Sequence, residues 1–331
     1  MVGVEVGLDL RRLQRTSDGT YFVTLPKAWV TKNKLEKGAI LSFSERKDGK
    51  ILAEPYGGQE RKITTVTLTP SPLLQREIEE KYLLGYDVFE IVSQQVIHVD
   101  TREAVRRTAR SLVGLEIVEE DAKKIIIQCL IEPSLLFPDR ILRRLHLITL
   151  GMQKDAISSF ARGDAKLAHT VVERDEDVDR LYFLLVRVVR AALTDPAIAD
   201  KLGTNPIDCL DYRILASLVE NFADHATDIA ESTWPRSKGK PTDGTIRSIE
   251  KAGDALNRMH KEAVEAVFAR NLALAQEVAK LYDEARANIK TAERGLVNAK
   301  PETIDRLTTV VSALKAMSET NVDIADLAAT R

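Results

Sequence analysis

From Pro138 to Arg331 the apolar residues recur at helical spacing, and no segment alternates as a strand would. Breaks fall at Gly163-Asp164, at Asp195 to Pro206, at Trp234 to Gly244, at Asn271 and at Ala299-Lys300-Pro301. They divide the region into six long helices. The clearest linker is Pro235 to Gly244 (PRSKGKPTDG). The helices also repeat. Met152-Gln153-Lys154-Asp155-Ala156 matches Met259-His260-Lys261-Glu262-Ala263. At the same offset Leu167-Ala168 and Val171 match Leu274-Ala275 and Val278, and later Asp228-Ile229-Ala230 matches Asp323-Ile324-Ala325. The unit is three helices used twice, over about 138–234 and 245–331, which predicts a pair of three-helix bundles.

The preceding residues differ in texture. Residues 1–56 read as strands and turns. An extended stretch over Leu8 to Gln14 is followed by a turn at Thr16 to Gly19 and a β-rich run from Tyr21 to Leu25. Pro26 opens a short helix, and Ala39 to Phe43 with Ile51 to Ala53 form a hairpin around Asp48-Gly49. Residues 62–132 alternate: strand at Ile63 to Leu68, helix at Leu73 to Leu84, strand at Val88 to Val92, then a helix capped by Thr101 that runs to Gly114. Strands at Leu115 to Val118 and Ile125 to Ile131 complete a small α/β domain of one sheet and two helices. The expected class is multidomain α+β: an N-terminal β unit at 1–56, a small α/β middle domain at 62–132, and an all-α region at 138–331.

The two cysteines, Cys129 and Cys209, rule out a disulfide framework and a cysteine-ligated zinc. The start MVGVEVGLDLRR is too short and too acidic for a signal peptide, and no apolar run nears the ~20 residues of a spanning helix. A cytoplasmic protein without membrane insertion is expected. With 48 Lys and Arg against 50 Asp and Glu, any nucleic-acid face must be local. One local patch exists. Residues 10–34 carry six cations, Arg11, Arg12, Arg15, Lys27, Lys32 and Lys34, against the single anion Asp18. These are the candidate DNA contacts; a solvated strand face with incidental lysines is the plainer alternative.

The first helical repeat holds an acidic constellation. Asp175 and Asp179 stand four apart on one helix face, and Glu220 and Asp224 repeat the spacing on the next helix. Like charges so placed repel, and two facing pairs repel further unless a cation lies between them. Glu220 and Asp224 sit among Leu215, Ala216, Leu218, Val219, Phe222, Ala223, Ala226 and Ile229, where acids call for partners. The alternative is a solvated acidic face. His225 points about a hundred degrees away from Asp224 and reads as a surface or packing residue. In the second repeat Tyr282 and Arg286 stand where Asp175 and Asp179 do, and Lys315 and Glu319 where Glu220 and Asp224 do. One metal site per chain is therefore expected, in the first repeat, with Lys315 or Arg286 neutralising nearby acids in the second.

The segments VVERDEDVDRL (171–181) and VENFADHATDIAES (219–232) resemble the paired acidic motifs of the PhoU family of phosphate-uptake regulators. That resemblance spans about 138–331. It implies two three-helix bundles and a divalent or trivalent metal, iron or zinc, at Asp175, Asp179, Glu220 and Asp224. It also implies action on the phosphate transporter's ATPase subunit or on a sensor kinase. The runs Arg11-Arg12-Leu13-Gln14, Gly19 to Lys27 and Leu35-Glu36-Lys37-Gly38-Ala39 resemble the SpoVT/AbrB swapped-hairpin DNA-binding domain, in which two chains exchange hairpins. Where many members place Arg after the turn glycine, this chain has Thr20. A unit of 56 residues with few large apolar side chains buries too little alone, so a homodimer is expected on physical grounds as well. The fusion is similar to archaeal PhoU-like regulators. It implies a DNA-binding regulator of phosphate uptake, and the first alternative is an adaptor that does not bind DNA. A metal-dependent hydrolase is the weakest reading: no Glu-x-x-His pair, glycine-rich phosphate loop or nucleophile signature accompanies the acids. The protein is expected not to be an enzyme.

Overall fold

The computed structural model describes residues 9–45, 49–56, 63–233 and 240–329, apart from the side chains of Asn298, Glu302 and Ala329. Leu8, Asp48 of the expected hairpin turn, Gly57-Gly58 and residues 235–239 of the expected linker lie outside these. The chain divides into two units, Met1–Ile63 and Thr64–Arg331.

The described residues of the first unit form two separate hairpins and one helix. Strands β1 (Gln14–Arg15) and β2 (Tyr21–Phe22) pair antiparallel across the turn at Thr16 to Gly19. Thr16 and Asp18 bond side chain to side chain there, and Gly19 takes φ +97, a conformation that favours glycine. Both strands are two residues long, shorter than the sequence suggests, because neither face of the hairpin is covered. Helix α1 (Lys27–Lys32) follows Pro26, and β3 (Leu41–Glu45) pairs with β4 (Ile51–Pro55) in the expected hairpin. No described residue of this unit is buried. Leu13, Tyr21, Ile40, Phe43, Ile51 and Tyr56 are each more than 60% exposed.

The second unit begins with the sheet β5 (Thr65–Leu68), β6 (Val88–Val92), β8 (Lys124–Cys129) and β7 (Leu115–Glu120), in that spatial order. Only β5 and β6 run parallel, and α2 (Leu74–Leu83) connects them. Alternate residues of β6 and β8, Phe89, Ile91, Ile125 and Ile127, are buried with Ile78 and Tyr82 of α2 and Val105 of α3 (Val99–Ser111). The start of α3 corrects the sequence reading. His98, rather than Thr101, is the capping residue, and its Nδ1 accepts from the Asp100 N–H at 3.4 Å.

The six long helices are α4 (Pro138–Arg162), α5 (Ala165–Thr194), α7 (Pro206–Glu231), α8 (Asp243–Ala269), α9 (Leu272–Arg294) and α10 (Pro301–Ala329). Their ends follow local chemistry: Gly163 closes α4 with φ 64, Asp164 caps α5, and Asn205 before Pro206 caps α7. Two details differ from the sequence reading. The break at 195–206 contains a short helix, α6 (Pro196–Leu202), and α8 starts at Asp243, capped by Thr242, so that Gly244 lies within its first turn. Helices α4, α5 and α7 form one bundle, and α8, α9 and α10 the other. The bundles share a single apolar core.

The seam between the bundles follows the repeat. Gln153 Nε2 of α4 donates to the Gly253 carbonyl of α8 at 2.9 Å, and Asn257 Nδ2 donates to Gln153 Oε1 at 2.7 Å and to the Leu150 carbonyl at 3.2 Å. Gly253 lets the helices approach: a Cβ there would stand 2.8 Å from Ile157 Cγ1. His260 stacks on Phe222 with ring centres 4.0 Å apart, and its Nδ1 bonds Asn321 Oδ1 at 2.8 Å.

Candidate metal groove and DNA-facing unit

Val171 and Val178 of α5 point into the bundle core, as do Val219, Phe222 and Ala226 of α7. The helical period then places Asp175 and Asp179 of α5, and Glu220 and Asp224 of α7, along the groove between the two helices. Asp175, Asp179 and Glu220 are half-buried, and Asp224 is exposed at the rim. The four carboxylates act on one another. Burial first, then Asp175 and Asp224, push Asp179 up to about 6. Burial, then Asp224, Asp179 and Asp175, push Glu220 up to about 7, with Arg213 opposing. Asp175 is raised by burial and by Asp224, with Thr227 opposing; Asp224 is raised by burial, with His225 opposing.

Asp175 Oδ1 and Thr227 Oγ1 are both buried and neither is seated in a full hydrogen bond, although the Thr227 hydroxyl stands near enough to the Asp175 carboxyl to hold it down. Buried polar atoms are nearly always paired, so the two ask for each other or for a bound cation. Hard oxygen donors, mutual repulsion and incompletely bonded buried oxygens fit a cation in kind. The arrangement is open, however: among the described residues no three His, Cys, Asp or Glu side chains are drawn close enough to hold an ion. His225 stays out of the groove and meets Asp228 at 3.3 Å.

Sequence reasoning missed two features beside the groove. Eight residues beyond Asp179, Arg187 is 1% exposed and enters the middle domain. Its Nη1 donates to the Tyr82 carbonyl at 2.5 Å, and its Nη2 to the Gly85 carbonyl at 3.4 Å and to Asp87 Oδ1 at 3.5 Å. The guanidinium also lies over the Tyr82 ring, 4.9 Å from its centre. The available signal was a lone arginine in the apolar run Leu184-Leu185-Val186-Arg187-Val188-Val189. The second feature is a cleft of about 800 Å³ between the middle domain and α5, with Glu79, Arg107 and Arg110 on one side and Glu176, Asp179 and Arg180 on the other.

In the first unit, Arg11, Arg12, Arg15, Lys27, Lys32 and Lys34 are all exposed. Arg11 pairs with Asp9 at 2.7 Å, and Arg15 lies over the Tyr21 ring at 5.6 Å. Arg12, Lys27, Lys32 and Lys34 form no ion pair among the described residues.

Comparison with known proteins agrees with both halves. The PhoU domain family matches residues 142–233, and the family described as antidote-toxin recognition MazE, bacterial antitoxin, matches residues 14–60. The chain is thus PhoU-like in its helical half, with a MazE/AbrB-like module ahead of it. The phosphate-specific transport system accessory protein PhoU homolog of Caulobacter vibrioides is 29% identical over 192 residues, 56% of this chain and 73% of the relative. The homologs of Rhizobium meliloti and Clostridium acetobutylicum are each 26% identical, over 51% and 45% of this chain and 68% and 66% of their own length. Among solved structures, PhoU from Pseudomonas aeruginosa aligns at 20% identity with a TM-score of 0.42, over 58% of this chain and 93% of that one. The phosphate transport system regulatory protein PhoU from Streptococcus pneumoniae aligns at 11% identity with a TM-score of 0.49, over 58% and 91%. Among the described residues no helix is long and apolar enough to cross a membrane.

Proposed function

We propose that this protein is a dimeric DNA-binding regulator of phosphate uptake whose helical half holds a metal ion. The observation that carries the reading is the state of the first unit: it buries none of its described residues, yet it presents six cations on one short stretch. A second copy exchanging hairpins would cover Phe43, Ile51 and their neighbours, and would double the cationic stretch into a face for the DNA backbone. Asp175, Asp179, Glu220 and Asp224 would hold the metal, whose charge would relieve their repulsion and give Asp175 Oδ1 a full partner. An ion drawing α5 and α7 together favours the closed groove over the open one, and only such a difference in affinity can shift an equilibrium. Helix α5 then supplies a route onward. Arg187 lies about 12 Å further along the same helix and is anchored in the middle domain.

The test joins gel-shift titration on DNA upstream of the chain's own reading frame with metal analysis of the purified protein. Salt-dependent binding is expected, its slope falling by about 0.9 for each phosphate contact removed. Arg11→Ala with Arg12→Ala weakens binding without unfolding; joint Asp175→Ala and Glu220→Ala removes the metal and leaves the fold.

A second reading has its own support. The relatives are accessory proteins of the phosphate-specific transport system, and the PhoU domain match lies within the helical half. An adaptor to the transporter's ATPase subunit or to a sensor kinase would need the first unit for dimerisation only. Failure to bind DNA at low salt decides for this adaptor. Neither reading is enzymatic.

A further inference from the structure

The repeat aligns the acidic groove of α5 and α7 with the groove of α9 and α10, where a cleft of about 490 Å³ opens. Its walls are Asp283, Arg286, Ala287, Lys290 and Glu293 of α9 and Lys315 of α10. At the position of Asp179 stands Arg286, and at that of Glu220 stands Lys315. The second groove thus reverses the charge of the first at both places.

The nearby acids are largely engaged already. Lys315 Nζ meets Glu293 at 2.7 Å. The Tyr282 hydroxyl, at the position of Asp175, donates to Glu319 Oε1, at the position of Asp224, at 2.9 Å. Arg286 and Lys290 form no ion pair or hydrogen bond among the described residues. They stand four apart on one helix face, where like charges repel. Asp283 is the one acid of the cleft wall without such a partner. The physics is that of the acidic groove with the sign changed: two like charges held side by side on a concave wall, where the cations Arg286, Lys290 and Lys315 outnumber the acids Asp283 and Glu293. A guanidinium offers a planar fork to an oxyanion, and an ammonium one turn away adds a second, rotatable set of donors.

We infer that the α9–α10 groove is a binding site for a small tetrahedral oxyanion, free phosphate or the phosphoryl group of a small metabolite, held by Arg286 and Lys290 with Lys315 at its edge. The site does not depend on the metal reading or the DNA reading, and the duplicated module would then carry a cation groove in one repeat and an anion groove in the other.

Calorimetric and 31P NMR titrations of the full-length protein at low chloride test this, with inorganic phosphate, sulfate and AMP as separate probes. Saturable phosphate binding at about millimolar concentration or tighter is expected. It should weaken about tenfold or more in Arg286→Gln with Lys290→Gln, and stay unchanged in Asp175→Asn with Glu220→Gln. AMP binding more tightly than phosphate, with the same loss in the double variant, identifies a phosphorylated metabolite as the source; phosphate binding alone identifies the free ion. Should none of the three probes bind, or should binding survive the Arg286 and Lys290 substitutions in a protein of native circular dichroism, the inference falls. Loss of binding in the acidic variant as well would place the anion on the bound metal instead and also overturn it.

Discussion

Glu220 shows what the groove costs. Its carboxyl is raised from 4.5 to about 7, chiefly by burial and then by Asp224. Near pH 4 the group is protonated in both folded and unfolded chains and affects neither. As pH rises to 7 the unfolded chain ionises first, and stability is lost across that window; above it the folded state carries the full penalty. Glu220→Gln in chelator-treated protein should therefore raise the thermal midpoint at pH 8 and leave it unchanged near pH 4. After discounting for partial exposure, a gain of about 1 kcal/mol, or about 3 °C, is expected by calorimetry. Saturating metal should reverse the order, leaving the wild-type chain the more stable at pH 8. A midpoint at pH 8 that Glu220→Gln lowers even without metal would show that the acids are not strained.

At the scale of elements, α4 and α8 cross closely at Gly253. Gly253→Ala has two opposed effects. Removing a helical glycine favours the helix by about 1 kcal/mol, while the new methyl meets buried Ile157 at 2.8 Å. Since Ile157 is 7% exposed and packed in the shared core, it has little room to yield. A net loss of about 1 kcal/mol in urea unfolding is expected, and in an Ile157→Ala background, where no γ carbon remains to meet the new methyl, the same Gly253→Ala change should no longer destabilise. Most elements were legible in the sequence because helical periodicity and capping residues such as Asp164, Asn205 and Gly163 are local signals. Helix α6 was missed because seven residues between two breaks leave no periodicity to count. His98 was missed as a cap because an imidazole is an unusual choice where Thr101 stands close by. The groove residues were legible because acids four apart on an apolar helix are a local anomaly. Arg187 and the cleft beside it depend on where the middle domain packs, which no local pattern encodes.

At the scale of the whole molecule, the exposed apolar residues of the first unit predict association. Phe43→Asp with Ile51→Asp should convert the proposed dimer to monomer in sedimentation analysis and abolish the proposed DNA binding, while helical content changes little. A chain that is monomeric before any substitution, at concentrations where it binds DNA, would remove the dimer from the account. The second unit differs in this respect, since it has a continuous apolar core of its own across both bundles.

The burial of Arg187 limits how the protein can be dissected. A fragment beginning at Pro138 would look complete by its helices, yet it would leave a guanidinium in an apolar helix face, stripped of Tyr82, Gly85 and Asp87 together. Water would take up the freed guanidinium, so the cost lies in the apolar face bared beside it, where Phe183 packs against the core of the middle domain. The boundary that spares it falls near residue 63, where the chain itself divides. For anyone trimming this chain, the sheet and the helices are a single workpiece, and a cut ahead of Thr64 is the one that leaves both intact.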